Sequence, residues 1–404
     1  MFERHTGENM FNLVSDFLGV LCSQWRGKLL GVGMDGASSM TGHVRGVATR
    51  IEQAIEHKFY RVWCGLHQLD LVMKHAYADI KDKKFNKILH SLTKYLRQQH
   101  KLIADMQSTC PNATTRWIAM GVTCKWLLEK RIQVLEYIAV DQKINAPEGW
   151  WWIVASAIHT LSKEINVVFV KLQSKNLLIS QQAAELEKLA TILCAHIIID
   201  GPFSQEEIIL IDMTLNTTFG IWSISNENLI NWILDQGMFI QGIWEELSME
   251  SIMDLIQVIS RLILQVVEGI LNVQAERDSA NLPADDLPPV LPHQLVKLHG
   301  QEFTAIISTH LGHLKQFWTE EDITKLNLQH SDLLFTYRHE PMLRKALESC
   351  DDQTSFEDGW KMVSDETEKF NILRDFCGGI ATIFPNTGTV ESDFSILGWE
   401  KDEY

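Results

Sequence analysis

The sequence predicts an α/β fold that is interrupted by a large all-α insertion. Two observations predict it: residues 29–80 read as strand, helix, strand and helix, and residues 116–380 space their apolar side chains at helical intervals in several stretches. A strand–helix–strand order implies two parallel strands with a right-handed crossover. The predicted parts are an α/β domain at 1–107, a linker at 108–117, a helical insertion at 118–380 and a returning helix at 381–404.

Apolar spacing and turn residues predict each element in turn. A helix over 10–25 is followed by a buried strand over 29–34, a helix that Ser38 or Ser39 caps and that reaches Ile55, a strand over 59–64 and a helix over 66–80. The strand signal fades from residue 81, and 81–106 reads as a helix. Further helical stretches are expected at 117–140, 150–172, 181–199, 227–244, 252–273, 302–318 and 342–347, with a proline-rich loop at 279–293.

The charge of the chain is unevenly distributed. Residues 1–150 hold 20 Lys and Arg against 14 Asp and Glu, whereas residues 201–250 hold eight acids and neither Lys nor Arg. Phosphate contact depends on Lys and Arg, so nucleic acid is expected to meet the N-terminal part. The acid-rich part is expected to face solvent or a protein partner.

The seven cysteines form no Cys-x-x-Cys pair, which favours a reducing, intracellular compartment. The N-terminus lacks the apolar core of a secretory signal, and no apolar run is expected to span a membrane. A membrane partner is therefore not expected.

Asp35 follows the first predicted strand in the run Leu30-Gly-Val-Gly-Met-Asp-Gly-Ala-Ser-Ser-Met-Thr-Gly42. Ligands bind outside the carboxyl ends of parallel strands, and a carboxylate there can hold a divalent metal. If the two predicted strands are neighbours, Asp35 and Cys64 lie side by side. The plainer interpretation of Asp35 is a turn former or a helix cap.

Cys64 and His67 form a Cys-x-x-His pair at the end of the second strand. The pair could supply half of a zinc site, but no second pair of matching spacing lies nearby. We expect His67 to lie close to Asp35, against the alternative of a buried thiol and a capping histidine. Arg116 and Trp117 follow the linker and could contact a phosphate and a base, although a buried Trp is more common.

Glu391 opens a predicted terminal helix whose apolar stripe is formed by Val390, Phe394 and Leu397. An acid beside a buried face can reach a sheet edge, while the plainer role is a favourable interaction with the helix dipole. The chain contains no dinucleotide-binding glycine motif, no phosphate-binding P-loop, no His-Glu-x-x-His and no Gly-x-Ser-x-Gly.

Taken in order, the Asp35 run, Cys64-Gly-Leu-His67, Thr115-Arg-Trp117 and Glu391-Ser-Asp-Phe-Ser395 resemble the motifs of hAT (hobo/Activator-type) transposases. The resemblance implies a ribonuclease-H-like sheet with a helical insertion, nuclear location, DNA as partner and catalysis with Mg²⁺ or Mn²⁺. It implies that Asp35 and Glu391 are the second and third metal-binding acids, that Cys64 and His67 lie beside the active site, and that Trp117 handles DNA.

The family's first catalytic Asp has no match here, because Asp16, the only Asp before Asp35, lies on a predicted helix. The family's zinc finger and dimerisation tail are likewise unmatched, and the chain resembles a fragment or a decayed copy. We therefore expect little strand transfer by this chain alone. Two alternatives stay open: a transposase-derived interaction module that dimerises or binds a partner through its acidic helical part, and an unrelated α/β domain with a helical cap.

Overall fold

The computed structural model describes residues 6–34, 37–42, 44–78, 80–112, 117–174, 177–273, 288–351, 353–363 and 369–383, with backbone alone for 38, 41, 117–119, 179, 180 and 183. Of these residues 69% are helical and 5% lie in strands, so the fold is predominantly helical with small sheets. The expected mixture of few strands and many helices is confirmed at that level.

The elements follow one another along three stretches of the described chain. Up to residue 112 they are α1 (Gly7–Leu21), α2 (Trp25–Lys28), β1 (Gly31–Met34), α3 (Ser38–Thr41), α4 (Val47–Gln53), β2 (Tyr60–Trp63), α5 (Gly65–Ala78), α6 (Lys84–Leu96) and α7 (His100–Met106). From residue 117 to 273 they are α8 (Trp117–Glu129), α9 (Arg131–Asp141), α10 (Gly149–Leu172), α11 (Ile179–Ile197), β3 (Ile199–Asp200), α12 (Gln205–Ile209), β4 (Asn216–Phe219), β5 (Trp222–Ser225), α13 (Asn226–Leu234), α14 (Met238–Glu246) and α15 (Met249–Leu271). From residue 288 they are α16 (Pro292–Leu295), α17 (Gly300–Phe317), α18 (Glu320–His339), α19 (Pro341–Glu348), α20 (Phe356–Lys361) and α21 (Asn371–Ala381).

The chain divides into two compact units. Unit 1 comprises Met1–Gln68, Lys171–Glu185 and Gln274–Tyr404, and unit 2 comprises Leu69–Val170 and Leu186–Val273. The domain boundaries predicted at residues 107, 117 and 380 stay a prediction.

The predicted parallel pairing of the first two strands is confirmed. In unit 1, β1 pairs with β2 in the register Gly31↔Tyr60 to Met34↔Trp63. Backbone hydrogen bonds close the pair at both ends, from Tyr60 N to Leu30 O and from Cys64 N to Met34 O, each 2.8 Å long. Among the described residues the sheet has two strands, and β1 is half-buried except at Met34, so the expectation of a fully buried strand is wrong.

The strand pair of unit 1 lies between two apolar clusters. Tyr60 and Val62 of β2 belong to a large cluster that also draws on the helices beyond residue 290. Val32 of β1 packs against a smaller cluster formed by α1, α2 and α4. Gly31 faces the large cluster at close range, because a Cβ added to it would lie 2.7 Å from the Tyr60 carbonyl oxygen and 3.1 Å from Ile383.

The helix predicted from Ser38 or Ser39 to Ile55 is divided in two. Gly46 packs so closely on the Gly42 backbone that an added Cβ would meet Gly42 N at 2.5 Å, and Gly46 precedes α4. Val44, expected on the apolar stripe, is 81% exposed. The helix predicted over 81–106 is likewise split, between α6 and α7.

Two features of the structure were absent from the sequence prediction. In unit 2 the strands β3, β5 and β4 form an antiparallel sheet, so the expectation of an all-α insertion over 118–380 is wrong. These strands are short and mix polar with apolar residues, and a two-residue turn at Gly220, which has φ +57°, joins β4 to β5. The long helix α18 was also missed, because few of its residues are apolar.

The helix α10 is the core helix of unit 2. It is the one described helix whose length and composition would suffice to cross a membrane, but 61% of its most apolar window is buried. Trp151, fully buried, stacks on Phe85 with ring centroids 5.1 Å apart. By length and composition alone this helix departs from the expectation that no apolar run is long enough to span a membrane.

Replacement of Gly31 by Ala tests the close approach at the strand pair. Since a Cβ there meets the Tyr60 carbonyl oxygen, a backbone atom that cannot swing away, we expect a loss of about 1–3 kcal/mol in unfolding free energy, measured by urea denaturation. Gly19→Ala in α1 is the control, because nothing lies within 4 Å of its added Cβ and Ala favours a helix by up to about 1 kcal/mol. Equal stability of the two variants would contradict the packing described.

His310, 2% exposed in the core of unit 1, provides a test of pH dependence. The Tyr60 hydroxyl and His310 Nε2 share a hydrogen bond of 2.8 Å, and burial, aided by His313, Lys58 and His57, lowers the pKa of His310 from 6.5 to about 4. The unfolded chain therefore binds this proton first, so the stability that the neutral ring contributes is complete above pH 6.5 and is lost as pH falls towards 4.

We expect His310 to account for about 3 kcal/mol of that acid-induced loss of unfolding free energy. The variant His310→Gln, which keeps a hydrogen-bonding group for Tyr60, should lose correspondingly less stability between neutral and acid pH in thermal denaturation. The same pH dependence in both proteins would refute this role of the histidine.

Candidate functional site

The carboxyl ends of β1 and β2 meet at one edge of the strand pair in unit 1. The Cys64 backbone N–H donates to the Met34 carbonyl at 2.8 Å, which fixes the last residue of β1 against the first residue after β2. Asp35 follows Met34 directly but lies outside the described residues. The structure therefore describes the chain before and after Asp35 but not the carboxylate itself.

Cys64 and His67 lie where the second strand gives way to α5. The Cys64 side chain is 1% exposed, and His67, in the first turn of the helix, is half-buried. No group of three His, Cys, Asp or Glu side chains suited to a metal ion occurs in the part of the chain that the structure describes. The Cys64–His67 pair therefore does not complete a zinc site with other described residues.

Gly65, between Cys64 and His67, packs closely against Gln182, which is distant in sequence. A Cβ on Gly65 would lie 2.6 Å from the Cδ and Oε1 atoms of Gln182, which is 5% exposed. Gln182 Oε1 and Trp63 Nε1 are buried and find no hydrogen-bond partner among the described residues. Buried polar atoms are usually satisfied, so these two are the groups at this edge most suited to meet a ligand.

The segment that carries Gln182 is anchored by a buried polar cluster within unit 1. The carboxylate of Glu185, 1% exposed, pairs with Lys171 Nζ at 3.0 Å and also accepts from Gln353 Nε2. Gln181 Oε1 accepts from Leu178 N (3.0 Å), and Gln181 Nε2 donates to Thr354 O (2.9 Å). These contacts fix the start of α11 and with it the position of Gln182.

A buried cation supports the other side of the strand pair. Arg61 of β2 is 5% exposed, and its Nη1 lies 3.6 Å from Glu52 Oε2 of α4. Breaking a buried pair leaves a charge without compensation, so this contact ties α4 to the sheet.

The remaining predicted site residues lie at the margins of the described chain. Glu391 and Arg116 fall outside the described residues, and Trp117 begins α8 with only its backbone described. The approach of Asp35 to Glu391, the proposed metal ligands, thus stays a prediction. The structure brings the end of β1 beside Cys64, and the predicted proximity of Asp35 to Cys64 and His67 stays a prediction.

Two residues of this site escaped the sequence analysis. Arg61 had a visible signal, since it is a charged residue inside an otherwise apolar strand. Gln182 had none, because its proximity to Gly65 arises only from tertiary packing.

Comparison with known proteins assigns no family to this chain. No protein-family model matches the chain, and no curated protein matches its sequence.

Proposed function

We propose that this chain is a hAT-type, transposase-related protein that acts on DNA. In this proposal the strand pair of unit 1 belongs to a ribonuclease-H-like fold, and its carboxyl edge binds a divalent metal and phosphate groups. One observation carries the proposal: two parallel strands end side by side, directly before Asp35 and at Cys64. The order of the four motifs along the sequence supports it, and nuclear location follows from the same resemblance.

The donor chemistry of the two predicted acids fits Mg²⁺ or Mn²⁺. Asp35 and Glu391 offer hard carboxylate oxygens, whereas Cys64 and His67 offer softer sulfur and nitrogen atoms that these ions do not prefer. When bound, such an ion stabilises negative charge on phosphate oxygens. The two carboxylates would hold it, and neither Cys64 nor His67 is needed as a ligand.

The residues around the carboxyl edge are suited to position a phosphate. The helix α5 begins there at Gly65, and the positive dipole end of a helix attracts anions. His67 lies in that turn and can donate a hydrogen bond to a phosphate oxygen. Arg116 and Trp117 are proposed as further DNA contacts, to a phosphate and a base respectively.

Activity of the chain on its own is expected to be low. Asp35 and Glu391 match two of the three acids that the resemblance implies, and each tenfold loss of rate corresponds to about 1.4 kcal/mol of barrier. Two carboxylates hold an ion less firmly than three and leave its position less well defined. We therefore propose DNA binding with little strand transfer, and robust metal-dependent cleavage that Asp35→Ala abolishes would overturn this part.

Binding of Mn²⁺ tests the proposed site without relying on activity. Electron paramagnetic resonance of free Mn²⁺ should show one site whose affinity falls at least about tenfold, or about 1.4 kcal/mol, in Asp35→Asn and in Glu391→Gln. Asp16→Asn, an exposed acid on α1, is the matched control and should bind as the unaltered chain does. Unchanged affinity in both site variants would reject the metal site.

A second function, protein interaction through the acidic helical part, is favoured by a separate observation. Residues 201–250 lack Lys and Arg, and they expose apolar side chains, namely Ile209 (81%), Leu210 (84%), Met213 (56%) and Leu215 (62%). Exposed apolar patches mark interaction sites. A chain that self-associates in sedimentation and binds Mn²⁺ independently of Asp35 and Glu391 would favour this function over the first.

A further inference from the structure

A basic surface lies at the opposite, amino edge of the strand pair in unit 1. Because β1 and β2 are parallel, the residues that precede them meet at one edge. α2 ends shortly before β1, His57 and Lys58 lie shortly before β2, and α17 packs beside them. We call Arg26, Lys28, His57, Lys58 and His313 the amino-edge surface.

His57 joins the segments of the amino-edge surface. Its Nε2 lies 3.1 Å from the Arg26 carbonyl oxygen, and its Nδ1 lies 2.9 Å from the Lys58 carbonyl oxygen. These two contacts hold the segment that precedes β2 against the end of α2.

The three long cations of the surface lie over aromatic rings. Arg26 lies 5.0 Å from the centroid of Trp25, Lys28 lies 5.8 Å from that of Phe317, and Lys58 lies 5.5 Å from that of Tyr60. None of these cations forms a salt bridge with a carboxylate in the described part of the chain. The rings hold the cations in place without neutralising them.

His313 of α17 completes the surface. Its ring centroid lies 4.6 Å from that of His57, edge to face. Burial, together with the nearby His57, lowers the pKa of His313, which favours the neutral form of this ring. Two nearby acids in the sequence, Asp16 on α1 and Glu56 before Lys58, are exposed, and neither appears in a described salt bridge.

We propose that the amino-edge surface binds the phosphate backbone of a nucleic acid. This inference rests on the proposed function, and it identifies which residues of the basic N-terminal part make the contact. Sequence-independent phosphate binding requires adjacent, oriented cations without paired carboxylates, and here Arg26 and Lys28 are exposed and Lys58 is half-buried. An acidic protein is the less favoured ligand, because a protein interface needs complementary apolar contacts, whereas the evenly spaced phosphates of a nucleic acid do not.

The position of the surface agrees with a nucleic acid that runs along the strand pair. Four-residue strands span roughly 13 Å at about 3.3 Å per residue. At roughly 3.4 Å per nucleotide along one strand of DNA, this length corresponds to about four nucleotides. One backbone could therefore contact the carboxyl edge and the amino edge together.

Salt-dependent DNA binding tests the inference. The triple variant Arg26→Gln/Lys28→Gln/Lys58→Gln is compared with Lys84→Gln/Lys87→Gln/Lys94→Gln, which removes the same charge from the exposed face of α6. A labelled duplex of arbitrary sequence is titrated at several salt concentrations by fluorescence anisotropy. We expect the slope of log K against log salt to become shallower by about 0.9 per lost contact, or about 2.7, in the first variant and to stay unchanged in the second.

The outcomes separate this inference from the proposed function. Equal slopes in both triple variants would overturn the amino-edge surface, even if Mn²⁺ binding still depends on Asp35 and Glu391. If the slope becomes shallower but Mn²⁺ binding does not depend on Asp35 and Glu391, the metal site is rejected and the amino-edge surface is retained. If the first variant binds DNA normally but loses a salt-sensitive self-association in sedimentation, the ligand is an acidic second copy and the inference is wrong.

Discussion

The parallel pairing of β1 with β2 is the constraint on which the rest of unit 1 depends. Two short strands are joined by backbone hydrogen bonds from Tyr60 N to Leu30 O and from Cys64 N to Met34 O. Because parallel strands begin at one edge and end at the other, this pairing creates two chemically different edges. The carboxyl edge gathers Cys64, His67 and the chain that leads into Asp35, while the amino edge gathers the cations around His57.

A two-stranded sheet is marginal alone, so packing from distant segments must stabilise it. On one face of the strand pair, residues beyond position 290 of the large apolar cluster supply this packing. Gly31, which has no side chain, allows the cluster to approach closely. Arg61 and its pairing with Glu52 tie the other face to α4. The start of α11, fixed by the Lys171–Glu185 pair, brings Gln182 against Gly65. The candidate site is therefore assembled from three separate stretches of sequence.

Local sequence patterns predicted those helices and strands whose formation depends on neighbouring residues. The strand–helix–strand order near the N-terminus and most long helices, including α10, α11, α15 and α17, were predicted from apolar spacing. The antiparallel sheet was missed because its strands are short and mix polar with apolar residues, and α18 because its apolar stripe is sparse. The contacts of Gln182 with Gly65 and of His57 with His313 carry no sequence signal, since residues that meet only after folding show no fixed spacing.

The central claim is that Asp35 and Glu391 share one ion at the carboxyl edge. Fe²⁺ can replace Mg²⁺ and, with ascorbate and peroxide, generates hydroxyl radicals that cleave the backbone around the ion. The account predicts cleavage near residue 35, near Cys64 and His67, and near residue 391, all suppressed by excess Mg²⁺. Cleavage near residue 35 without any near residue 391, or cleavage that Mg²⁺ does not suppress, would contradict it.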